Sequence, residues 1–359
     1  MITFAARKSI DMTKNASRYY LYTAVGCLAL VIGFVCYYMF SGVSKSDKTE
    51  YLYIDNDDTA DSVFVKLKDF SHTHGITGLS TLVRHSGYAE HIRPGRYAIA
   101  PGEGALTVFR RLKNGMQTPL NLTIPEVRTM ERLAGLLGKK LMLDSAEIAE
   151  ALRDTDFCRQ YGYDTATVAA LFIPETYEIY WNVSMENLMK RMQKEHERFW
   201  NDERIQLAAK MNMTPVEVAT LASIIDEETA NDSEKPMIAG MYYNRLTLRN
   251  DEYPEGMPLQ ADPTVKFALK DFGLRRIYHK QLVFDSPYNT YINTGLPPGP
   301  IKIASIAGID AVLKHVEHDY LYMCAKEDFS GTHNFARTYS EHLKNAAKYS
   351  KALNERGIK

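Results

Sequence analysis

Three consecutive carboxyl groups close an apolar segment of the sequence, LASIIDEETA, residues 221–230. Ionised side chains at Asp226, Glu227 and Glu228 repel one another, so a helix end with only a structural role gains no stability from them. A carboxylic acid that stays protonated near neutral pH can donate a proton to the oxygen of a breaking glycosidic bond. The question is which of the three acids, if any, is placed for that chemistry.

The three acids take different positions around the axis of the helix that carries them. The signal TPVE, residues 214–217, predicts a helix start with a Thr cap, a first-turn Pro and a capping Glu. With Leu221 at about 0° and about 100° per residue, Glu228 falls at about 340°, inside the apolar stripe. Asp226 at about 140° and Glu227 at about 240° lie on the flanks, where both can reach water. Glu228 is therefore the predicted general acid, because burial and two neighbouring carboxylates both raise its pKa.

Two other interpretations of these acids remain open. Glu228 could simply end its helix and pair with Arg245 or a Lys. A glycosidase with two carboxyl groups needs them about 5 Å apart to retain configuration and about 6.5–9.5 Å apart to invert it. Asp262, in LQADPTV, is the other obvious candidate, although an Asp before Pro is equally typical of a turn.

A single acid suffices if the sugar supplies its own nucleophile. The C6 hydroxyl of N-acetylmuramic acid can attack C1 of the same ring, and this intramolecular step has a large effective-molarity advantage. One Glu then acts first as acid toward the leaving oxygen and next as base toward the hydroxyl.

Composition excludes several other functions. The 43 Lys and Arg residues nearly balance the 44 Asp and Glu residues, and no nucleic-acid-binding motif is present, so we expect no nucleic-acid partner. Four scattered Cys residues predict neither a disulfide framework nor a zinc site. The sequence has no HExxH, nucleophile elbow or phosphate loop, and we expect no metal and no cofactor.

The N-terminal region predicts a membrane anchor. Residues 21–40, LYTAVGCLALVIGFVCYYMF, contain no charged residue over 20 positions, which is long enough to cross a bilayer as a helix. A cleaved signal peptide is the alternative, but its apolar region would be shorter and no cleavage site follows directly. Arg7, Lys8, Lys14 and Arg18 precede the span, so the positive-inside rule predicts a cytoplasmic N-terminus and an extracytoplasmic remainder.

After a linker at residues 41–50, the rest of the sequence predicts an α+β fold in two parts. Residues 51–123 alternate short strands and helices. One predicted helix is capped near Thr59 and has its apolar positions at Val63, Val65, Leu67 and Phe70, and another stops at Gly115. Residues 124–345 predict a mainly helical domain, including one long helix over 184–211. Its last third contains the loop-like runs LQADPTV, SPYNTYINTGLPPGPI and SGTHNFARTYSEH. Residues 346–359 predict a frayed helical tail.

Five ordered segments of this domain carry a resemblance to a known family. They are LASIIDEETA, YYNRL, LQADPTV, PYNTYINTGLPPGPI and GTHNF, and upstream RPGRY, IPEVRTMERLA and LFIPETY also fit. From about residue 50 to residue 345 the chain resembles the YceG-like family of endolytic murein transglycosylases. In the family motif the catalytic acid is the Glu immediately before Thr, which is Glu228 here. Asp226 stands where the motif has Glu, Glu227 occupies a variable position, and RNDEYPEGMP lengthens a loop before Leu259.

The resemblance also implies substrate-binding and supporting residues. Substrate contacts are implied for Gln260, Tyr288, Asn289, Thr290 and His333, and supporting roles for Asp226, Asn244 and Asp262. A structural alternative accompanies several of them. Asn289 and Thr290 could merely cap a loop, His333 could be a structural histidine, and Asn244 and Arg245 could simply end a helix.

The resulting expectation is a single-pass protein of the cell membrane that cleaves nascent peptidoglycan strands internally. The resemblance implies a LysM-like subdomain at 51–123, 1,6-anhydro product ends that limit strand elongation, and glycan strands, the lipid bilayer and peptidoglycan synthases as partners. A non-catalytic peptidoglycan-binding scaffold and a muramidase that uses water with Asp262 are the competing functions.

Overall fold

The structure, a computed structural model, describes residues 2–274 and 276–357, and of residues 2–16 only the backbone. The side chains of Arg7, Lys8 and Lys14, on which the predicted orientation of the N-terminus depends, therefore lie outside the described part. The chain divides into two compact units. One runs to Leu120 and includes residues 179–182, and the other comprises residues 121–178 and the chain from Val183 onward.

The first unit begins with a long apolar helix, α1, Ile2–Phe40. Its part from Ser17 to Phe40 is long and apolar enough to cross a membrane, and the predicted span at 21–40 lies within it. Its large apolar side chains are exposed to the surroundings rather than packed in a core. These properties fit a membrane anchor or a signal sequence.

A small α+β module follows α1. It contains β1 (Glu50–Ile54), α2 (Ala60–Lys68), α3 (Thr73–Arg84), a short 3-10 turn, β2 (Gly95–Ile99) and α4 (Ala105–Asn114). The strands pair antiparallel, with Glu50 opposite Ile99 and Ile54 opposite Gly95. The prediction of a Thr59 cap is confirmed, as is the stop at Gly115, where φ is +65°. Of the apolar positions of this helix, Val63 and Leu67 pack in the core, whereas Val65 is 60% exposed.

The described part of the second unit is mainly helical with two small two-stranded sheets, of which the β5–β6 pair is antiparallel. β3 (Leu120–Thr123) is paired with β4 (Thr176–Ile179), and β5 (Tyr322–Ala325) with β6 (His333–Ala336). The helices are α5 (Met130–Leu137), α6 (Ser145–Arg153), α7 (Thr155–Arg159), α8 (Met185–Phe199), α9 (Asp202–Lys210), α10 (Pro215–Glu228), α11 (Lys235–Thr247), α12 (Asp262–Leu269), α13 (His279–Leu282), α14 (Ile306–Leu313) and α15 (Tyr339–Glu355).

Helix α10 lies at the centre of this unit and is covered by α11 and α14. All eight residues from Val218 to Ile225 are buried, and the surrounding core includes Ile238, Tyr242, Leu259 and Val312. Since a helix buried on all sides cannot rotate or shift without opening a cavity, the direction of its last side chains is set by this packing.

Four segments of this unit have a local structure that differs from the prediction. The long helix over 184–211 is broken, because the side chain of Asn201 accepts the backbone N–H of Arg204 at 3.1 Å and starts α9 anew. The segment LQADPTV is a loop only as far as Ala261, after which α12 begins. The GTHNF segment ends in strand β6. Residues 346–355 of the predicted tail belong to a regular helix, α15, which starts at Tyr339 with Thr338 as its cap.

Candidate functional site

The cap of α10 fixes where the acidic cluster lies. The hydroxyl of Thr214 accepts the backbone N–H of Glu217, whose carboxylate in turn accepts the backbone N–H of Thr214 at 2.7 Å. The predicted capping box is thus confirmed. The helix continues to Glu228, its last residue, and ends at Thr229 in extended conformation. Glu228 therefore stands at the end of a buried helix whose start and length are both defined.

Glu228 lines a cavity of about 220 Å³, which we call the Glu228 cavity. Its other lining residues come from α11, the loop before α12, the loop after α13 and the strands β5 and β6: Met241, Tyr242, Arg245, Leu259, Gln260, Asp262, Tyr291, Met323, Cys324, Ala325 and His333. The sequence segments YYNRL, LQADPTV, PYNTYINTG and GTHNF thus meet around the predicted acid.

The surroundings of Glu228 keep its carboxyl group protonated to an unusually high pH. Burial is the main cause and raises the pKa of Glu228 to about 7 from an ordinary 4.5. The phenol of Tyr242 donates to Oε1 at 2.8 Å and lowers the pKa, while the charge of Asp262 raises it. Asp226 and Glu227 are not among the causes, so the predicted push from the two sequence neighbours is wrong. The like charge that acts on Glu228 is Asp262.

The structure does not contain the alternative ion pair between Glu228 and Arg245. The guanidinium of Arg245 donates to the carbonyls of Leu321 and Leu259, each at 2.6 Å, and holds these two segments together. Within the described residues Glu228 forms no ion pair, and its hydrogen-bond partner is Tyr242. Arg245 therefore shapes the cavity while its positive charge slightly lowers the pKa of Glu228.

Asp226 has an environment different from the one predicted. Its carboxylate, only 1% exposed, accepts the backbone N–H and the hydroxyl of Ser305, both at 2.6 Å, and pairs with Lys235 at 2.8 Å. It does not line the Glu228 cavity, and the expectation that it reaches water is wrong. These contacts fix the start of α14 and the start of α11 on the end of α10, which is a structural task.

Glu227 points in a third direction. Its carboxylate accepts Arg128 Nε at 2.9 Å, and Nη2 of the same guanidinium lies at 2.7 Å. The ammonium of Lys302 lies 3.9 Å away. The side chain of Glu227 is thus partly exposed, is held by two cations and lies outside the Glu228 cavity.

Asp262 shares the cavity with Glu228. It is exposed, and its Oδ1 accepts the phenol of Tyr291 at 2.6 Å. The predicted turn at this position is the first turn of α12, where an acidic side chain is favoured by the helix dipole. The structure therefore brings a second carboxylate to the same cavity, in a more exposed setting.

Gln260 and His333 are the predicted substrate contacts that do line the cavity. Gln260 is exposed, adopts a left-handed backbone with φ of +50°, and donates its N–H to the carbonyl of Thr290 at 3.0 Å. This backbone geometry directs a polar side chain at the rim of the cavity. His333 opens β6, and both its backbone and its ring contact Glu234.

Asn289 and Thr290 are predicted substrate contacts that do not line the Glu228 cavity. Asn289 is completely buried, and its amide donates to the carbonyls of Leu282 and Phe284. Thr290 is buried against Thr264, with 2.8 Å between the two hydroxyls. These contacts match the alternative in which both residues stabilise a loop.

Tyr288 and Asn244 also lie outside the lining of the Glu228 cavity. The ring of Tyr288 packs on Phe267, with 4.7 Å between the ring centroids. The amide of Asn244 donates to the carbonyls of His318 and Tyr320 at 2.6 and 3.1 Å. These hydrogen bonds hold the chain that leads into β5.

Tyr242, Tyr291 and Glu234 belong to the site without having been predicted from the sequence. Tyr242 could have been found, because it falls on the buried side of the YYNRL helix and a buried phenol requires a hydrogen-bond partner. No comparable sequence signal marks Tyr291 or Glu234, whose partners are brought to them only by the fold.

Comparison with known proteins gives a consistent result. The profile of the YceG-like family matches residues 52–348. A Bacillus subtilis (strain 168) protein named endolytic murein transglycosylase is 30% identical over 294 residues, which cover 76% of this chain and 77% of the relative. A Streptococcus pneumoniae (strain D39) protein of the same name is 25% identical over 306 residues, covering 77% of this chain and 54% of the relative. The crystal structure of a YceG-like protein from Listeria monocytogenes aligns with a TM-score of 0.53 and 26% identity, over 83% of this chain and 99% of the other.

Proposed function

The chain belongs to the YceG-like family, and from this premise we propose that it is a membrane-anchored endolytic transglycosylase of peptidoglycan with Glu228 as its single general acid and base. The names of the relatives support the reaction class, a lytic cleavage of murein glycan strands. The observation that carries the assignment to Glu228 is its buried carboxyl group, with a pKa of about 7, in a cavity formed by the segments shared with the family.

Glu228 performs the first step in its protonated form. It donates its proton to the oxygen of the bond between N-acetylmuramic acid and N-acetylglucosamine, and the electron pair of the breaking bond to C1 leaves with that oxygen. The leaving sugar departs with a free hydroxyl, and Glu228 becomes a carboxylate. Its hydrogen bond from Tyr242 stabilises this charged form and holds Oε1, which leaves Oε2 to face the substrate.

The ring closes in the second step without water. The C6 hydroxyl of the muramic acid forms a bond to C1, and its proton passes to the Glu228 carboxylate. Glu228 is thereby returned to the protonated state, and the product ends in a 1,6-anhydro sugar. Asp262, held by Tyr291, contributes a negative charge that stabilises the positive charge developing on the sugar ring.

A muramidase is the second candidate, because Asp262 lies in the same cavity and could instead activate a water. The masses of the strand ends separate the two functions. Digestion of purified glycan strands by the full-length protein should yield 1,6-anhydro ends by mass spectrometry. Reducing muramic acid ends would identify the muramidase, and uncut strands would identify a non-catalytic binding protein.

Replacement of Tyr242 by Phe should move the alkaline limb of the pH profile. The wild-type kcat/KM is expected to fall above about pH 7, where Glu228 loses the proton it must donate. The phenol lowers the pKa of Glu228, so its loss raises that pKa and the limb moves to higher pH. The change is measured from kcat/KM at a series of pH values. An unchanged limb in a folded Tyr242→Phe protein would contradict this account of the hydrogen bond.

The remaining chain fits a protein that works beside the membrane. We propose that α1 is a single-pass anchor of the cell membrane, with the N-terminus in the cytoplasm and the chain that follows α1 outside the cell membrane. The strand–helix–helix–strand order of β1, α2, α3 and β2 supports a LysM-like subdomain that retains glycan strands. Such an enzyme would limit the length of nascent strands, with peptidoglycan synthases as protein partners.

A further inference from the structure

One carboxylate, that of Glu234, holds the histidine of the Glu228 cavity in place. Its Oε1 accepts the backbone N–H of His333 at 2.6 Å, and its Oε2 lies 3.0 Å from Nδ1 of the same residue. The side chains of Glu234 and His333 are only 8% and 16% exposed. A carboxylate that contacts both the backbone and the ring of one residue fixes the position and the rotation of that ring.

The same contacts determine which ring nitrogen carries the proton. Glu234 accepts the backbone N–H of His333 and also the hydroxyl of Thr229, 3.3 Å from Oε2. As an acceptor it requires a hydrogen on Nδ1. In the neutral imidazole Nε2 is then left without a proton, as a hydrogen-bond acceptor. Within the described part of the chain no side chain or backbone group bonds to Nε2.

The position of Glu234 links this histidine to the acid. Glu234 lies immediately before α11, the helix that carries Tyr242, and its contact with Thr229 reaches the residue next to Glu228. The strand β6 brings His333 to the lining of the same cavity. An acceptor nitrogen beside a protonated carboxyl group is suited to a ligand rich in hydroxyl groups, such as a sugar ring.

We propose that Glu234 is a positioning residue that holds His333 as an Nδ1-protonated imidazole, whose Nε2 accepts a hydrogen bond from a hydroxyl group of the glycan bound beside Glu228. The inference rests on the proposed function, because it names a second contact of the same substrate in the same cavity. Glu234 itself does not touch the sugar. It acts by keeping the ring oriented with a proton on Nδ1.

Glu234→Gln tests this role with little change in shape. The amide oxygen can still accept the backbone N–H of His333, but the amide nitrogen now donates to Nδ1 and forces the proton onto Nε2. The acceptor toward the sugar is lost while the ring stays in place. His333→Asn removes the acceptor differently, since its amide can donate to Glu234 but does not reach the position of Nε2.

The tautomer and the kinetics are measured on the same full-length protein in detergent. Nitrogen-15 NMR of labelled imidazoles, with His333→Asn identifying the signal among the ten His residues, should show an Nδ1-protonated ring in the wild type and an Nε2-protonated ring in Glu234→Gln. The kcat/KM on glycan strands should fall about tenfold in either variant, which corresponds to one lost hydrogen bond. The double variant should fall no further, because both changes remove the same contact.

Glu203→Gln, an exposed substitution of the same type in α9, serves as the matched control and should leave kcat/KM unchanged. A wild-type ring protonated on Nε2 would overturn the proposal, as would a Glu234→Gln protein with a reversed tautomer and wild-type kcat/KM. Failure of the proposed function is recognised separately. In that case Glu228→Gln retains cleavage, whereas the NMR result for His333 does not depend on the reaction.

Discussion

Glu228→Gln should lower the rate of glycan cleavage by about a hundredfold to ten-thousandfold, the usual contribution of a general acid and base. Gln has nearly the same size and can keep the hydrogen bond with Tyr242, but it has no proton to donate to the leaving oxygen. The loss should appear in kcat, since sugar contacts elsewhere in the cavity are retained. It is measured from the rate at which new ends form on purified strands.

Two controls show that such a loss comes from chemistry. Glu227→Gln changes the adjacent acid, which binds Arg128 outside the cavity, and should retain most of the activity. The folded-state pKa of Glu228, about 7, lies above its ordinary value, so ionisation between these pH values costs folded-state stability. The difference obtained by subtracting the wild-type free energy of unfolding from that of Glu228→Gln should therefore be larger, in favour of the variant's stability, at about pH 8 than at about pH 4. Equal activity losses in the two Gln variants would contradict the selection of Glu228.

Asp226→Ala should have the largest effect on stability, a loss of about 3–5 kcal/mol in the free energy of unfolding. It removes the buried partner of Lys235 and leaves that ammonium, 7% exposed, with Asp232 alone. Burial by itself would lower the pKa of Lys235, and the two Asp partners raise it overall. The backbone N–H and hydroxyl of Ser305 also lose their acceptor at the start of α14.

Chemical denaturation at neutral pH measures this loss. Asp232→Ala is the matched control, since it removes the exposed partner of the same Lys235 and should cost far less. The activity per folded molecule of Asp226→Ala should stay close to that of the wild type, because Asp226 lies outside the Glu228 cavity. A stable Asp226→Ala protein with impaired catalysis would show instead that Asp226 acts on Glu228.

The helical phase of α10 predicted a different direction for each of the three acids, and in the structure Glu228 is the one of the three that lines the Glu228 cavity. The helical phase did not predict the burial of Asp226. A wheel gives directions around one helix only, and Asp226 is buried by Lys235 and Ser305, which other segments bring to it. A flank of α10 that looks solvated on the wheel is covered by α11 and α14.

The loop residues could be predicted least well. Gln260 and His333 line the cavity as expected, whereas Asn289 and Thr290 turn toward buried backbone and hydroxyl groups. A polar side chain in a loop without periodicity can hydrogen-bond equally well to its own chain or to a ligand. Residue type alone does not distinguish these two cases. The break at Asn201 follows the same rule, since its capping bond interrupts an otherwise continuous helical pattern.

The central claim is that one carboxyl group and the substrate's own hydroxyl cleave the strand without water. Digestion of purified, uncrosslinked glycan strands in oxygen-18-labelled water tests it most directly, with the new muramic acid ends weighed by mass spectrometry. The account predicts ends that lack the elements of water and carry no label, and it predicts that Glu228→Gln forms these ends about a hundredfold to ten-thousandfold more slowly. Labelled reducing ends, formed by the wild type and lost in an Asp262→Asn protein, would contradict it.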